Sequence, residues 1–135
     1  MLSYRVVDLS DERGQLCGQI LASLGCDVVL VEPPGGASSR RKPPFVADQP
    51  GPDRSLWHVA FNRGKRAAIA DLTTAEGRAA LLALLGQADL LIESYEPGVL
   101  EGLGLGRDVL EAANPGLVHV SITAWGSDGP GRGRR

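Results

Sequence analysis

Residues 63–66 read Arg-Gly-Lys-Arg, three cations around one glycine, and an apolar run follows at once. Lys65 and Arg66 could cradle phosphate oxygens, since both side chains form charge-assisted hydrogen bonds to them. Equally, Arg66 could be an ion-pair partner holding a strand entrance, with Arg63 left in solvent; the residues alone leave both readings open. Three further segments combine carboxylates, hydroxyls and a cation: DLSDERG at 8–14, ADLTT at 70–74 and ESYEPG at 93–98. The glycine run GLGLG at 102–106 falls late in the chain, whereas dinucleotide-binding glycines must sit between a first strand and its helix. It reads as a helix end and a turn. The histidines, His58 and His119, fit no Ser-His-Asp arrangement, and His119 falls in an expected buried strand as a packed neutral imidazole. Cys17 and Cys26 lack metal-ligand spacing and read as reduced core thiols of a cytoplasmic protein. No metal site is expected.

Elements able to position these segments follow from the hydrophobic pattern. The 135 residues suit one domain, and 43% hydrophobic content with only 4% aromatic calls for an aliphatic core. A net charge of −2 argues against general affinity for nucleic acid or an anionic membrane. No apolar run approaches the ~20 residues that cross a bilayer. Strands are expected at 4–9, 27–32, 67–72, 89–93 and 117–123. A helix over 14–24 should bury Leu16, Ile20 and Leu24, spaced i+4 beside Cys17 and Leu21, and Gly25 should end it in the left-handed conformation. A second helix should start at Thr73, boxed with Glu76, bury Leu81, Leu82 and Leu85, and stop at Gly86. Shorter helices are expected over 97–103 and 108–113. Residues 35–55, rich in Gly, Pro and Ser and carrying Arg40, Arg41 and Lys42, read as a flexible loop of functional length.

Strands alternating with helices make this an α/β chain: an open, mostly parallel, doubly wound sheet of about five strands with helices on both faces. In such a sheet ligands bind beyond the carboxyl ends of the strands, at the switch point. That edge would gather the three polar segments. It would supply Asp8, Arg13, Asp71, Thr73, Ser94 and Tyr95, with free amides at helix starts for an anionic ligand.

Several blocks occur in a telling order: VVDLS, LASLGCDVVLVEPPGG, FNRGKRAAIADLTTAEG, ADLLIESYEPGVLEGLGL and NPGLVHVSITAWGSDGP. Together they resemble the N-terminal part of the class III CoA-transferases, the CaiB/BaiF family. That family includes formyl-CoA and carnitine CoA-transferases and α-methylacyl-CoA racemases. The resemblance covers nearly all of 1–135 and rests on the combination of LG-x-DV-x-x-VEPP, N-x-x-K-R and E-x-x-x-PG, since no single block is specific.

The resemblance implies a Rossmann-like, CoA-binding large-domain segment, with coenzyme A as substrate and an acyl-CoA and a carboxylic acid as partners. By motif position the CoA contacts carry over to Arg13 and Gly14, to Ala70, Asp71, Leu72 and Thr73, and to Ser94, Tyr95 and Glu96. Lys65 and Arg66 are added as the possible phosphate cradle. The chain departs from the family pattern in three places. Glu12-Arg13-Gly14 stands where alanine-glycine-proline is frequent, Ser94-Tyr95 where many members have asparagine-phenylalanine, and Gly102 where some have arginine. Tyr95 keeps an aromatic face for adenine. Transferases of the family attack the thioester with an aspartate carboxylate, giving an acyl anhydride; racemases use acid–base residues instead. Both sets are expected beyond Arg135, and Asp128 is not taken as the nucleophile. No catalytic residue is therefore assigned, and a homodimer is implied. The alternative is a non-catalytic CoA- or nucleotide-binding module, or a fragment of the racemase branch.

Overall fold

Runs of Val, Leu and Ile with no room for polar alternation form the central strands of the computed structural model, which describes residues 3–132. In chain order the elements are β1 (Arg5–Asp8), α1 (Gln15–Ser23), β2 (Asp27–Glu32), α2 (Leu56–Asn62), β3 (Arg66–Ile69), α3 (Ala75–Leu85), β4 (Leu90–Glu93), α4 (Val99–Gly102), α5 (Arg107–Ala113) and β5 (Val118–Ser121). The strands form one parallel sheet in the order β3-β2-β1-β4-β5, so the order reverses between β1 and β4. Val6 lies level with Val28 and Leu90, which sets the register at that reversal. Every loop that follows a strand therefore emerges on one edge.

Alternation along β1 divides the core. Val7, Leu9, Val31 and Leu91 pack with Leu81 and Leu85 of α3, Leu100 of α4, Leu110 of α5 and Leu105 of the turn between those two helices. Val6, Val28 and Ile92 pack on the other face with Cys17, Leu21 and Ala22 of α1. The doubly wound architecture expected from the sequence is what forms, and Gly25 does end α1 with φ 96°. Leu81 and Leu85 are fully buried, as their spacing predicts.

Three expectations are corrected. The stripe Leu16, Ile20 and Leu24 is exposed at 50%, 48% and 56%, while Gln15 and Gly18 of the same helix are buried. The cause is a buried charge beneath α1, described below, which draws its small and polar side inward. Helix α3 is capped by Thr74, whose hydroxyl accepts from the Gly77 amide, and not by Thr73. Gly86 stops α3 as expected, in right-handed backbone with φ −59°. His119 stands on an edge strand with its side chain 32% exposed, its Nε2 3.4 Å from a Glu93 oxygen, since no strand lies beyond β5 among the described residues.

Residues 35–55 carry two 3-10 turns, Ser38–Arg41 and Val46–Asp48, and a bridge between Phe45 and Ser55. Arg40 ties this segment to buried Glu32 through two bonds of 2.6 and 2.7 Å and reaches Asp53 at 2.9 Å.

Candidate functional site

The loops after β1 and β4 meet at the reversal point and are bound to one another. Asp11 donates its amide to the Ser94 hydroxyl, which in turn donates to the Asp11 carboxylate at 2.8 Å. Arg13 spans the same gap. Its guanidinium contacts Asp11 at 2.9 Å, Glu96 at 2.7 Å and the Ser94 carbonyl at 2.6 Å. Hydrogen bonds that Arg13 donates to Asp11 and Glu96 hold it firmly in its charged form. Burial alone would raise the Asp11 carboxyl, but bonds from Arg13 and Ser94 outweigh it and keep the group below the usual carboxylate range. Gly14 is required here, because a Cβ would stand 2.6 Å from the Ser10 Cβ.

Beneath that loop lies a closed polar cage. Lys65, its side chain 1% exposed, donates to the Asp8 carboxylate at 2.8 Å, the Gln15 carbonyl at 2.9 Å and the Asn62 side-chain oxygen at 2.8 Å. An ammonium has three donors, so none remains. Burial presses Lys65 below the ordinary lysine range while Asp8 pulls it back. With its oxygen facing Lys65, the Asn62 amide turns its nitrogen toward the Gln15 oxygen at 2.9 Å and the His58 Nδ1 at 3.2 Å. His58 Nδ1 is therefore an acceptor, which the Ser39 hydroxyl also meets at 2.7 Å, and the neutral ring carries its proton on Nε2. Ser55 closes the cage: it caps α2 at the His58 amide and donates to the carbonyls of Ser39 and Lys42.

Tyr95, half-buried against the aliphatic core, separates two hollows at this edge. One, about 210 Å³, is walled by Leu9, Val31, Pro33, Ala70, Leu72 and Leu103, with Asp71, Thr73 and Tyr95 completing it. The other, about 230 Å³, lies by the ends of β4 and β5, with Glu93, Glu96, His119, Arg107 and Arg132 among its walls. Burial, then the carboxylates of Glu93 and Asp11, raise the Tyr95 phenol, so its hydroxyl stays protonated. The first hollow suits a flat, largely apolar group; the second is charged. A larger hollow of about 410 Å³ opens beside β1, β2 and α3, but its arginines are already matched, Arg5 with Gln87 and Arg66 with Asp27.

The sequence-selected residues divide accordingly. Arg13, Gly14, Ser94, Tyr95 and Glu96 cluster at the reversal point, and Ala70, Asp71, Leu72 and Thr73 line the apolar hollow that Tyr95 shares. Lys65 and Arg66 are not with them. Lys65 is sealed in the cage, and Arg66 forms a two-pronged pair with Asp27 at the strands' amino ends, so the ion-pair reading holds for Arg66. The Thr73 amide is also not free: it donates to Asp71 at 3.0 Å. Two residues escaped the sequence reading. Arg78, one turn into α3, reaches back to the carbonyls of Leu72 and Thr73 at 3.1 and 3.0 Å, placing a cation beside the hollow. Gln15 looks like a surface residue of a helix start but is fully buried. Among the described residues no group of His, Cys, Asp and Glu is placed to hold a metal ion, and no helix is long and apolar enough to cross a membrane.

The profile of CoA-transferase family III matches residues 3–135. The chain belongs to that family. It is 42% identical over 127 residues to a subunit of succinyl-CoA:(R)-benzylsuccinate CoA-transferase from Thauera aromatica, covering 94% of this chain and 31% of the relative. A probable fatty acyl-CoA transferase of Mycobacterium tuberculosis, Rv3272, is 39% identical, over 94% of this chain and 32% of its own length. A crystal structure of Rv3272 superposes with a TM-score of 0.85 at 37% identity, over 99% of this chain and 36% of that one. A CaiB/BaiF family protein from Brucella suis gives 0.87 at 39% identity, over 97% and 35%. This family III chain thus spans about a third of the length of the relatives it matches.

Proposed function

We propose that this chain supplies the CoA-binding part of a cytoplasmic, homodimeric CoA-transferase that moves CoA from an acyl-CoA to a carboxylic acid. The observation that carries the reading is the apolar hollow between Leu72 and Tyr95, next to the Arg13 loop at the reversal point of a family III sheet. The adenosine end lies against Asp71, Leu72 and Thr73 with the purine on Tyr95, and the phosphates face Arg13, Gly14 and Ser94. Phosphate oxygens compete with Glu96, an exposed partner, for the Arg13 guanidinium. An acyl-CoA donor and an acid acceptor are the substrate classes supported by relatives named for succinyl-CoA and fatty acyl-CoA transfer. In the reaction implied, a carboxylate attacks the thioester carbonyl and the C–S bond breaks, giving an acyl anhydride and CoA thiolate. The thiolate attacks that anhydride's enzyme-side carbonyl to free the first acid. The acceptor carboxylate displaces CoA to form a new anhydride, and the thiolate attacks its acceptor carbonyl to give the new thioester and restore the carboxylate.

One observation favours a second reading, a CoA-binding module without turnover. Five carboxylates around the Arg13 loop and the apolar hollow are engaged: Asp8 with Lys65, Asp11 and Glu96 with Arg13, Asp71 with Thr73, and Glu93 with the Tyr95 amide. None of these five stands free to attack a thioester. Calorimetric titration with CoA, followed by an assay for CoA exchange between succinyl-CoA and a free acid, separates the readings. Binding with exchange supports the transferase, binding alone the module, and absence of binding contradicts both.

A further inference from the structure

We propose that Asp8, itself held by Lys65, is a positioning residue for CoA, acting through Ser10 on the loop that carries Arg13. The inference rests on the reading of that loop as a CoA contact.

The geometry is a relay beneath α1, from the entrance of β3 to the end of β1. Lys65 stands just before β3, far along the chain from Ser10, yet two short steps join them. One Asp8 oxygen accepts from Lys65 at 2.8 Å, and the other accepts from both the amide and the hydroxyl of Ser10. The Ser10 carbonyl is held by the buried Gln15 amide at 3.1 Å, and Gln15 is itself held by Lys65 and Asn62. Ser10 thus has its amide, hydroxyl and carbonyl all fixed by groups that end on Lys65 and its cage. Asp11 follows directly, and the Asp11–Ser94–Arg13 contacts build on that point. The pairing is close enough to dictate the helix above it. A Cβ on Gly18 would stand 2.2 Å from an Asp8 oxygen and 3.0 Å from the Lys65 nitrogen. A general structural role would ask only that the site be filled; this relay asks that Ser10 keep an oxygen acceptor at position 8.

Two uncharged double variants of the intact protein test that difference, neither of which leaves a lone buried charge. Lys65→Met with Asp8→Asn retains an amide oxygen for Ser10, whereas Lys65→Met with Asp8→Leu retains none. The first is expected to bind CoA nearly as the parent does. The second is expected to lose about tenfold, the scale of coupling between neighbouring residues, with a weaker dependence on salt as Arg13 drifts from the phosphates. Equal CoA affinity in the two variants, both folded by circular dichroism, would overturn the relay. Arg13→Ala serves as the separate control: if it binds CoA as the parent does, the underlying CoA reading of the loop fails, and the relay with it.

Discussion

The two flanks of α1 invert the ordinary rule of burial. One flank, Gln15 and Gly18, is polar and small yet buried; the other, Leu16, Ile20 and Leu24, is aliphatic yet about half exposed. The inward flank meets Asp8 and Lys65, charges that must be enclosed with their partners once they leave water. Only a glycine lets the helix approach them, and only a side chain with both donor and acceptor, such as Gln15, closes the cage. Periodicity therefore identifies the helix, while the buried pair chooses which side faces in.

Substitutions on the two flanks should separate sharply. The largest effect is expected for Lys65→Met, which strands the Asp8 carboxylate; removing one partner of a buried pair costs about 3–5 kcal/mol, read by urea denaturation. Gly18→Ala forces a methyl against that pair and should cost about 1–3 kcal/mol, as overpacking does, in the same assay. His58 gives a pH signature. Burial lowers its pKa, as does Arg40, and Lys65 adds to this against the opposing carboxylates of Glu32 and Asp53. Its contribution to stability is complete above the unfolded value near 6.5 and is lost as pH falls through the lower folded value. A His58→Asn variant should flatten the melting temperature over that window. At the far end, Ile20→Ser on the exposed flank should change stability by no more than about 0.5 kcal/mol. A larger loss would mean that this flank is covered in solution.

The sheet was legible because its strands are aliphatic runs ended by Pro33 and by glycine turns, and parallel pairing follows from the alternating helices. Much of the candidate site's placement was legible too, since Arg13, Ser94, Tyr95 and the 70–73 segment all follow strands and must emerge on one edge. What misled were side chains whose fate depends on partners distant in sequence. Lys65 and Arg66 are adjacent, yet one pairs with Asp8 inside the molecule and the other with Asp27 at the opposite edge from the Arg13 loop. No local pattern separates them. Thr73 and Thr74 are a similar pair: either can cap, and the choice falls to Thr74 because Thr73 is turned toward Asp71.

The central claim is that CoA lies across the carboxyl edge with its purine on Tyr95. Calorimetric titration of CoA into the parent, Tyr95→Phe and Tyr95→Ala tests it directly. Stacking of a base on an aromatic ring is worth about 1–3 kcal/mol, so Tyr95→Ala should weaken binding about five- to hundred-fold while Tyr95→Phe keeps most of the affinity. An unchanged dissociation constant in Tyr95→Ala, with the fold intact, would contradict the account and place the ligand elsewhere.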